Sequence, residues 1–277
     1  MRHADNLTVR WTIGDVSDYG FETLGLSIRG ARAIFGPAAE YVVCVNSVPL
    51  LRARELTGDV PSEVQWLDVT GALDPLIASH IDEGMAEGVG WKFAPLQIAP
   101  DRYELALDND CVLWRAPAAI REWLDSDDAA CVIAEDVRPA FGRYTALLGE
   151  HGRNSGIRGL PPQFDLRGAL TALLDGVMLE CELDEQGLQV AAVSCGKTPL
   201  VVRVAEVAIC SPFPPHLQDI GTCGVHFVGL NAKQLWWERE GRPATEETVE
   251  NYTRLLPRVR EALNAASPLS PPGRGPG

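Results

Sequence analysis

Asp108 and Asp110 are the residues in this chain best suited to chemistry. They sit one position apart where the apolar run Tyr103–Leu107 stops, and the chain resumes as Cys111-Val112-Leu113. Two carboxylates at a strand end suit a divalent cation, because Mg²⁺ and Mn²⁺ take hard oxygen ligands and leave positions for phosphate oxygens and water. A solvated turn is the competing reading, since Asp and Asn are favoured turn residues. Much later, Gly224-Val225-His226-Phe227-Val228-Gly229 sets a single His between apolar residues, with Asn231 and Lys233 after it. A lone His in such a run is usually a packed core residue. Flanked by Gly and followed by Lys, it also suits a site where a cation meets a diphosphate, imidazole being a good ligand for Mn²⁺.

Other groups fall into place around these. Lys92 lies between Trp91 and Phe93 just upstream of the acidic pair. It either reaches a phosphate or lays its stem on apolar neighbours. Glu135-Asp136 ends another strand-like run, where substrate contact and a plain turn are both open. Asn154-Ser155-Gly156 reads as a polar, glycine-rich loop, and Glu182-Leu183-Asp184-Glu185-Gln186 places three carboxylates and an amide before an apolar run. His80, Asp82 and Glu83 resemble a metal cluster that nothing completes, so a solvated helix face is the reading taken.

The elements that must position these residues alternate between strand and helix. Leu7–Ile13 is a strand by its β-branched and aromatic content, ending at Gly14-Asp15. Phe21, Leu24, Ile28, Ala31 and Phe35 then share one helical face that stops near Gly36-Pro37. Gly20, Gly25 and Gly30 weaken that helix by about 1 kcal/mol each against Ala, so close packing against a sheet is the reason to expect for them. Tyr41–Val45 is a continuous apolar strand of the doubly covered, parallel kind, and Val64–Val69 a further strand. The β-α-β-β order predicts an open, mostly parallel sheet flanked by helices, with ligands beyond the carboxyl ends of its strands, where Asp15 and Asp108 both fall.

Composition narrows the function classes. The 277 residues carry a formal charge of −14, which argues against nucleic acid as a partner. No apolar run approaches a membrane span, and Met1-Arg2-His3-Ala4-Asp5 lacks a signal-peptide core. Seven scattered cysteines, among them Cys44, Cys131, Cys195 and Cys210 in apolar runs, suggest reduced core thiols in a cytoplasmic protein.

In their order, Asp-x-Asp, Asn-Ser-Gly, an acid-Gln pair and His-Phe-x-Gly…Lys resemble the retaining GT-A-fold glycosyltransferases, the group of glycogenin and the bacterial lipooligosaccharide galactosyltransferases. The resemblance covers roughly residues 7–240. It implies a GT-A-like α/β domain over residues 1–266, with an open, Rossmann-like sheet. It implies Mn²⁺ or Mg²⁺ held by Asp108, Asp110 and His226, and a donor sugar beside Asn154, Ser155 and Gly156. The family's Asp-Gln pair falls on Glu185-Gln186, with Asp184 as the other acid, and these would border the reacting sugar carbon. Lys92 and Lys233 would meet the diphosphate with Gly229, while Asp15 and Tyr19 loosely echo the Asp-x-x-Tyr that contacts the base. Lys233 is spaced one residue further than the family has it, and Gln234-Leu235-Trp236 stands where Pro-Trp is expected.

The implied activity is metal-dependent transfer of a hexose from a UDP-sugar to an acceptor hydroxyl on a glycan, small molecule or protein, with retention. Two other readings stand beside it: a catalytically silent nucleotide-sugar binder on the same scaffold, and a sugar nucleotidyltransferase. The last lacks the glycine-rich, basic phosphate loop expected after the first strand. Thr245, Glu246 and Glu247 open a C-terminal helix whose apolar stripe is Val249, Tyr252, Leu256, Val259 and Leu263, with a kink expected at Pro257. The Pro/Gly-rich residues 267–277 read as a disordered tail.

Overall fold

The structure, a computed structural model, describes residues 1–81, 90–233, 235, 238, 239 and 241–266. Asp82, Glu83, Gln234, Trp236 and the tail 267–277 lie outside the described residues.

Strand β1 (Leu7–Ile13) is buried almost throughout and is the axis of a seven-stranded sheet. Helix α1 (Asp18–Phe35) follows, its first turn capped by the Ser17 hydroxyl accepting from the Gly20 N–H. The chain leaves it at Gly36, whose φ of 79° a side chain would disfavour. β2 (Glu40–Val45), α2 (Leu50–Thr57) and β3 (Gln65–Asp68) extend the sheet in one direction, each strand parallel to the last. The order is therefore β-α-β-α-β, with one helix more than the sequence suggested. A short helix α3 (Pro75–Ala78) precedes β4 (Tyr103–Leu107), which crosses back to lie parallel on the other side of β1. The strand order thus reverses between β1 and β4, which opens a crevice at their carboxyl ends.

β5 (Cys111–Leu113) leaves this sheet, and after α4 (Ala118–Asp125) the chain returns to it through β6 (Val132–Glu135). A short helix α5 (Thr145–Leu148) then leads to β7 (Arg153–Leu160), inserted antiparallel between β4 and β6. The expected loop around Asn154-Ser155-Gly156 is thus an interior strand. Its polar, Gly-bearing start reads as a loop because it bulges from the β6 pairing between Asn154 and Arg158 and is held extended by distant contacts, among them the Asp108 N–H on the Gly156 carbonyl, which local composition does not reveal.

Helices α6 (Leu166–Leu174) and α7 (Glu182–Ser194) cover one face through Leu166, Leu170, Leu174 and Leu188, packed with Ile133 and Leu160. Asp165 caps α6 as expected, accepting from the Gly168 N–H. β8 (Leu200–Val202) completes the sheet in the order β3-β2-β1-β4-β7-β6-β8, an open and mostly parallel sheet flanked by helices.

A second sheet joins β5 to β10 (Gly224–Phe227) antiparallel, and β10 to β9 (Val207–Cys210) parallel. A small hairpin, β11 (Glu238–Arg239) and β12 (Arg242–Pro243), leads into helix α8 (Ala244–Ala266). Tyr252, Leu255, Val259 and Leu263 of α8 pack on Val112, Trp114, Val225 and Phe227. Leu255 takes the central place expected for Leu256, and the helix continues through Pro257.

The glycines of α1 are close contacts, though not with the main sheet. A Cβ on Gly30 would lie 1.9 Å from the Leu113 carbonyl oxygen of β5, and one on Gly25 would lie 2.7 Å from that of Thr57 in α2. All seven cysteines are free; Cys195 ends α7 and is exposed, unlike its expected place in an apolar run. No helix among the described residues is long and apolar enough to cross a membrane.

Candidate active site

The turn Asp108-Asn109-Asp110 is where the two sheets part, and backbone hydrogen bonds fix it from both. The Asp108 N–H donates to the Gly156 carbonyl of β7 at 2.9 Å, and the Phe227 N–H donates to the Asp110 carbonyl at 3.0 Å. Between them, the Asn109 amide donates to the Gly20 carbonyl at 3.0 Å and to Asn231 Oδ1 at 2.6 Å. Asn231 in turn donates to Asp110 Oδ2 at 3.0 Å. The β5–β10 register sets His226 opposite Cys111 and so beside Asp110.

The result is a triad that the sequence had scattered over more than a hundred positions. One ligand-type atom each from Asp108, Asp110 and His226 falls within 4.8 Å of the others. His226 Nε2 lies 3.2 Å from Asp110 Oδ1 and 3.6 Å from Asp108 Oδ2. Asp110 Oδ1 is buried, and His226 Nε2 is its near polar neighbour. Two carboxylates converging with an imidazole nitrogen fit Mn²⁺ better than Mg²⁺. Gly156 completes the cradle, for a Cβ there would lie 2.3 Å from the His226 ring carbon Cε1.

The electrostatics of the site are those of a cation receptor. Lys92 Nζ lies 3.0 Å from Asp108 Oδ2 and 3.9 Å from Glu185 Oε2. Burial alone would raise the Asp108 carboxyl, but Lys92 and His226 outweigh it and hold it below the usual range. Burial would lower His226, yet the carboxylates of Asp110 and Asp108 raise it above its ordinary value. Glu185 is pushed up to about 7, by burial first, against the pull of Lys92. Three carboxylates thus face one ammonium group.

The triad opens into a cleft of about 290 Å³ that Lys92, Asn154, Ser155, Glu182, Glu185, Gln186, Gly229 and Asn231 also line. Gln186 donates to the Ala140 carbonyl at 2.9 Å. Asp184 is not among the lining residues. Its oxygens accept from the N–H groups of Arg143 and Glu180, both at 2.8 Å, so this acid ties a loop to the start of α7. Asp15, Tyr19 and Lys233 are likewise apart from the triad. Lys233 pairs with the exposed Asp15, 2.5 Å away, and Tyr19 stacks edge-on against Tyr252. Tyr19 and Lys233 line a neighbouring cavity of about 320 Å³, and Gly229 borders both spaces.

One polar cluster in the cleft was only partly visible in the sequence. Asp136 accepts from Asn154 at 3.0 Å and from the Val137 N–H at 2.7 Å, with His216 Nε2 at 3.5 Å. His216 Nδ1 lies 2.6 Å from the Ser211 hydroxyl, which itself accepts from the Phe213 N–H. These bonds hold Asp136 below the usual carboxylate range against the opposing effect of burial. Asp136 was legible as an acid at a strand end, whereas His216 sits in Pro-Phe-Pro-Pro-His, which carries no local signal of a site.

No protein-family model matches the chain, and no curated protein sequence matches it. Solved structures do. The galactosyltransferase LgtC, crystallised with donor and acceptor sugar analogs, matches over 95% of this chain and 98% of its own at 13% identity, with a TM-score of 0.52. The bifunctional glycosyltransferase WbbM in its apo form matches over 93% of this chain at 15% identity, with a TM-score of 0.51. This chain spans 51% of WbbM's length. The chain therefore has the GT-A glycosyltransferase fold that its motif order resembles.

Proposed function

We propose that this protein is a cation-dependent glycosyltransferase that moves a hexose from a UDP-sugar to an acceptor hydroxyl with retention. The observation that carries the reading is the convergence of a half-buried Asp108 with buried Asp110 and His226 at the carboxyl end of β4, beside the reversal of strand order. Asp108, Asp110 and His226 would hold Mn²⁺ or Mg²⁺, which when bound neutralises charge on the departing diphosphate.

The chain's own groups do the rest. Lys92 sets an ammonium beside Asp108 at the donor side of the cleft, and Lys233, released from the exposed Asp15, is close enough in the chain to Gly229 to meet the far phosphate. Asn154, Ser155 and Gly156 form the floor under the sugar. Glu185 and Gln186 project from the first turns of α7 toward the reacting carbon, where a carboxylate and an amide oxygen stabilise positive charge on the same face the diphosphate leaves. Asp136, kept ionised, borders the space left for the acceptor, a glycan, small molecule or protein hydroxyl.

The test is a panel of nucleotide sugars incubated with the protein and Mn²⁺, followed by NMR. The reading expects UDP and free hexose to appear from one donor, with the released anomer first matching the donor. A donor that binds with no release across a broad acceptor set would instead establish a silent binder.

A further inference from the structure

Beneath the cleft lies a polar chain that the sequence reading did not include. Arg158 occupies β7, an interior strand, two residues beyond Gly156, and is 1% exposed. Its Nη1 donates to Gln189 Oε1 at 2.7 Å. Gln189, 2% exposed, donates from Nε2 to Glu185 Oε1. The two residues are one turn apart on α7, so they share a face of the helix. The orientation of the amide is chemically forced. Guanidinium only donates and carboxylate only accepts, so Gln189 must turn its oxygen to Arg158 and its nitrogen to Glu185.

An apolar residue would serve this core position better if packing were the only demand. Arg158 Nε is buried without a hydrogen-bond partner, and a buried ion is a weak stabiliser compared with a well-packed apolar side chain. What the chain of contacts does accomplish is to hold one particular carboxylate. Glu185 Oε2 faces Lys92 at 3.9 Å, too long for a hydrogen bond, so Lys92 attracts it without fixing it. Gln189 grips the other oxygen, and Arg158 grips Gln189.

We propose that Arg158 and Gln189 are positioning residues, acting through Glu185 to aim its carboxylate into the donor side of the cleft. The inference rests on the proposed glycosyl transfer. Neither residue hydrogen-bonds to the cation triad, and only Arg158 bears on Asp108 through its charge, so loss of Gln189 should leave cation and nucleotide binding in place while disorienting Glu185. An outer-shell support of this kind is worth about 10- to 100-fold.

The experiment compares Gln189→Met, which keeps length and helix propensity, with Glu185→Ala and the double variant. Donor turnover, UDP affinity in Mn²⁺ and melting temperature are measured on each, and a crystal structure is determined for Gln189→Met. The expected result is a fall in kcat of about 10-fold or more with unchanged UDP affinity, no further loss when Gln189→Met is added to Glu185→Ala, and a Glu185 carboxylate that has rotated while Asp108, Asp110 and His226 stay in place. Arg158→Lys, which still donates to Gln189, should retain more activity than Arg158→Met. Wild-type kcat in Gln189→Met, losses that add in the double variant, or an unmoved Glu185 would overturn the inference. A wild-type protein that turned over no nucleotide sugar would remove the proposed function and this inference with it, whereas an active wild type with an unaffected Gln189→Met would remove the inference alone.

Discussion

Gly156→Ala is the smallest change that should disable the triad without touching a ligand. The added methyl would lie 2.3 Å from His226 Cε1, 2.6 Å from Nδ1 and 2.8 Å from Asn154 Oδ1. The closest of these is about 1.1 Å short of the 3.4 Å at which ordinary contact begins. Something must move, and the choices are few. His226 belongs to a strand paired on both edges and its ring is hemmed by Asp110, while Gly156, though in a bulge of the β6–β7 pairing, is held by the Asp108 N–H on its carbonyl and by Asn154 Oδ1 accepting from its N–H. The ring is the part that yields, and a displacement near 1 Å is about half of a metal–nitrogen bond of roughly 2 Å. Misplacement on that scale costs on the order of 100-fold in a positioned site, while overpacking costs about 1–3 kcal/mol in stability. Calorimetric titration of Mn²⁺ and of UDP in Mn²⁺, with melting curves alongside, should show affinity lost by about 10-fold or more in a folded protein. Unchanged Mn²⁺ affinity in a folded Gly156→Ala would refute the reasoning, because it would mean that His226 is not a ligand or that the cradle is not tight.

Two further predictions concern stability. Glu185 has an ordinary value of 4.5 and is raised to about 7 in the fold, so the unfolded chain ionises first and stability falls as pH rises through that window. In chelator, Glu185→Gln should therefore gain on wild type between those values, by an amount on the order of 3 kcal/mol, when melting temperatures are followed against pH; a pH-independent difference would contradict the assignment. Gly30→Ala should lower the melting temperature although Ala improves helix propensity by about 1 kcal/mol, because its Cβ would lie 1.9 Å from the Leu113 carbonyl of a paired strand. A melting temperature at or above that of wild type would show that α1 can slide on β5.

How far the sequence disclosed this arrangement depends on whether local pattern or distant pairing places a residue. Asp108 and Asp110 were legible because an apolar strand breaks off in acids, and His226 because it interrupts an apolar run. Lys92 was legible by its position, and it does reach Asp108. Asn154-Ser155-Gly156 reads as a loop in the sequence, since its strand character comes from distant partners: Ala134 of β6 beside Asn154, and the Asp108 N–H on the Gly156 carbonyl. Helix α2 was overlooked because its face is weakly apolar, with Leu51 74% exposed and only Ala53 and Thr57 buried. Asp184 looked equivalent to Glu185 in one dimension, but adjacent helical residues point about 100° apart, and Asp184 turns to backbone N–H groups instead of the cleft. Arg158 and Gln189, which stand behind Glu185, had no signal in the sequence. A lone Arg in an apolar strand reads as an edge or surface residue until the sheet order places it inside.

The central claim is that the acidic triad binds a cation and that the cation is what lets a protein of net charge −14 bind a diphosphate. Calorimetric titration of UDP into the wild-type protein, once with Mn²⁺ and once with EDTA, measures this directly. The account predicts binding in Mn²⁺ and an affinity lower by at least about 10-fold in EDTA, more than 1.4 kcal/mol. Equal affinity in the two buffers would contradict it.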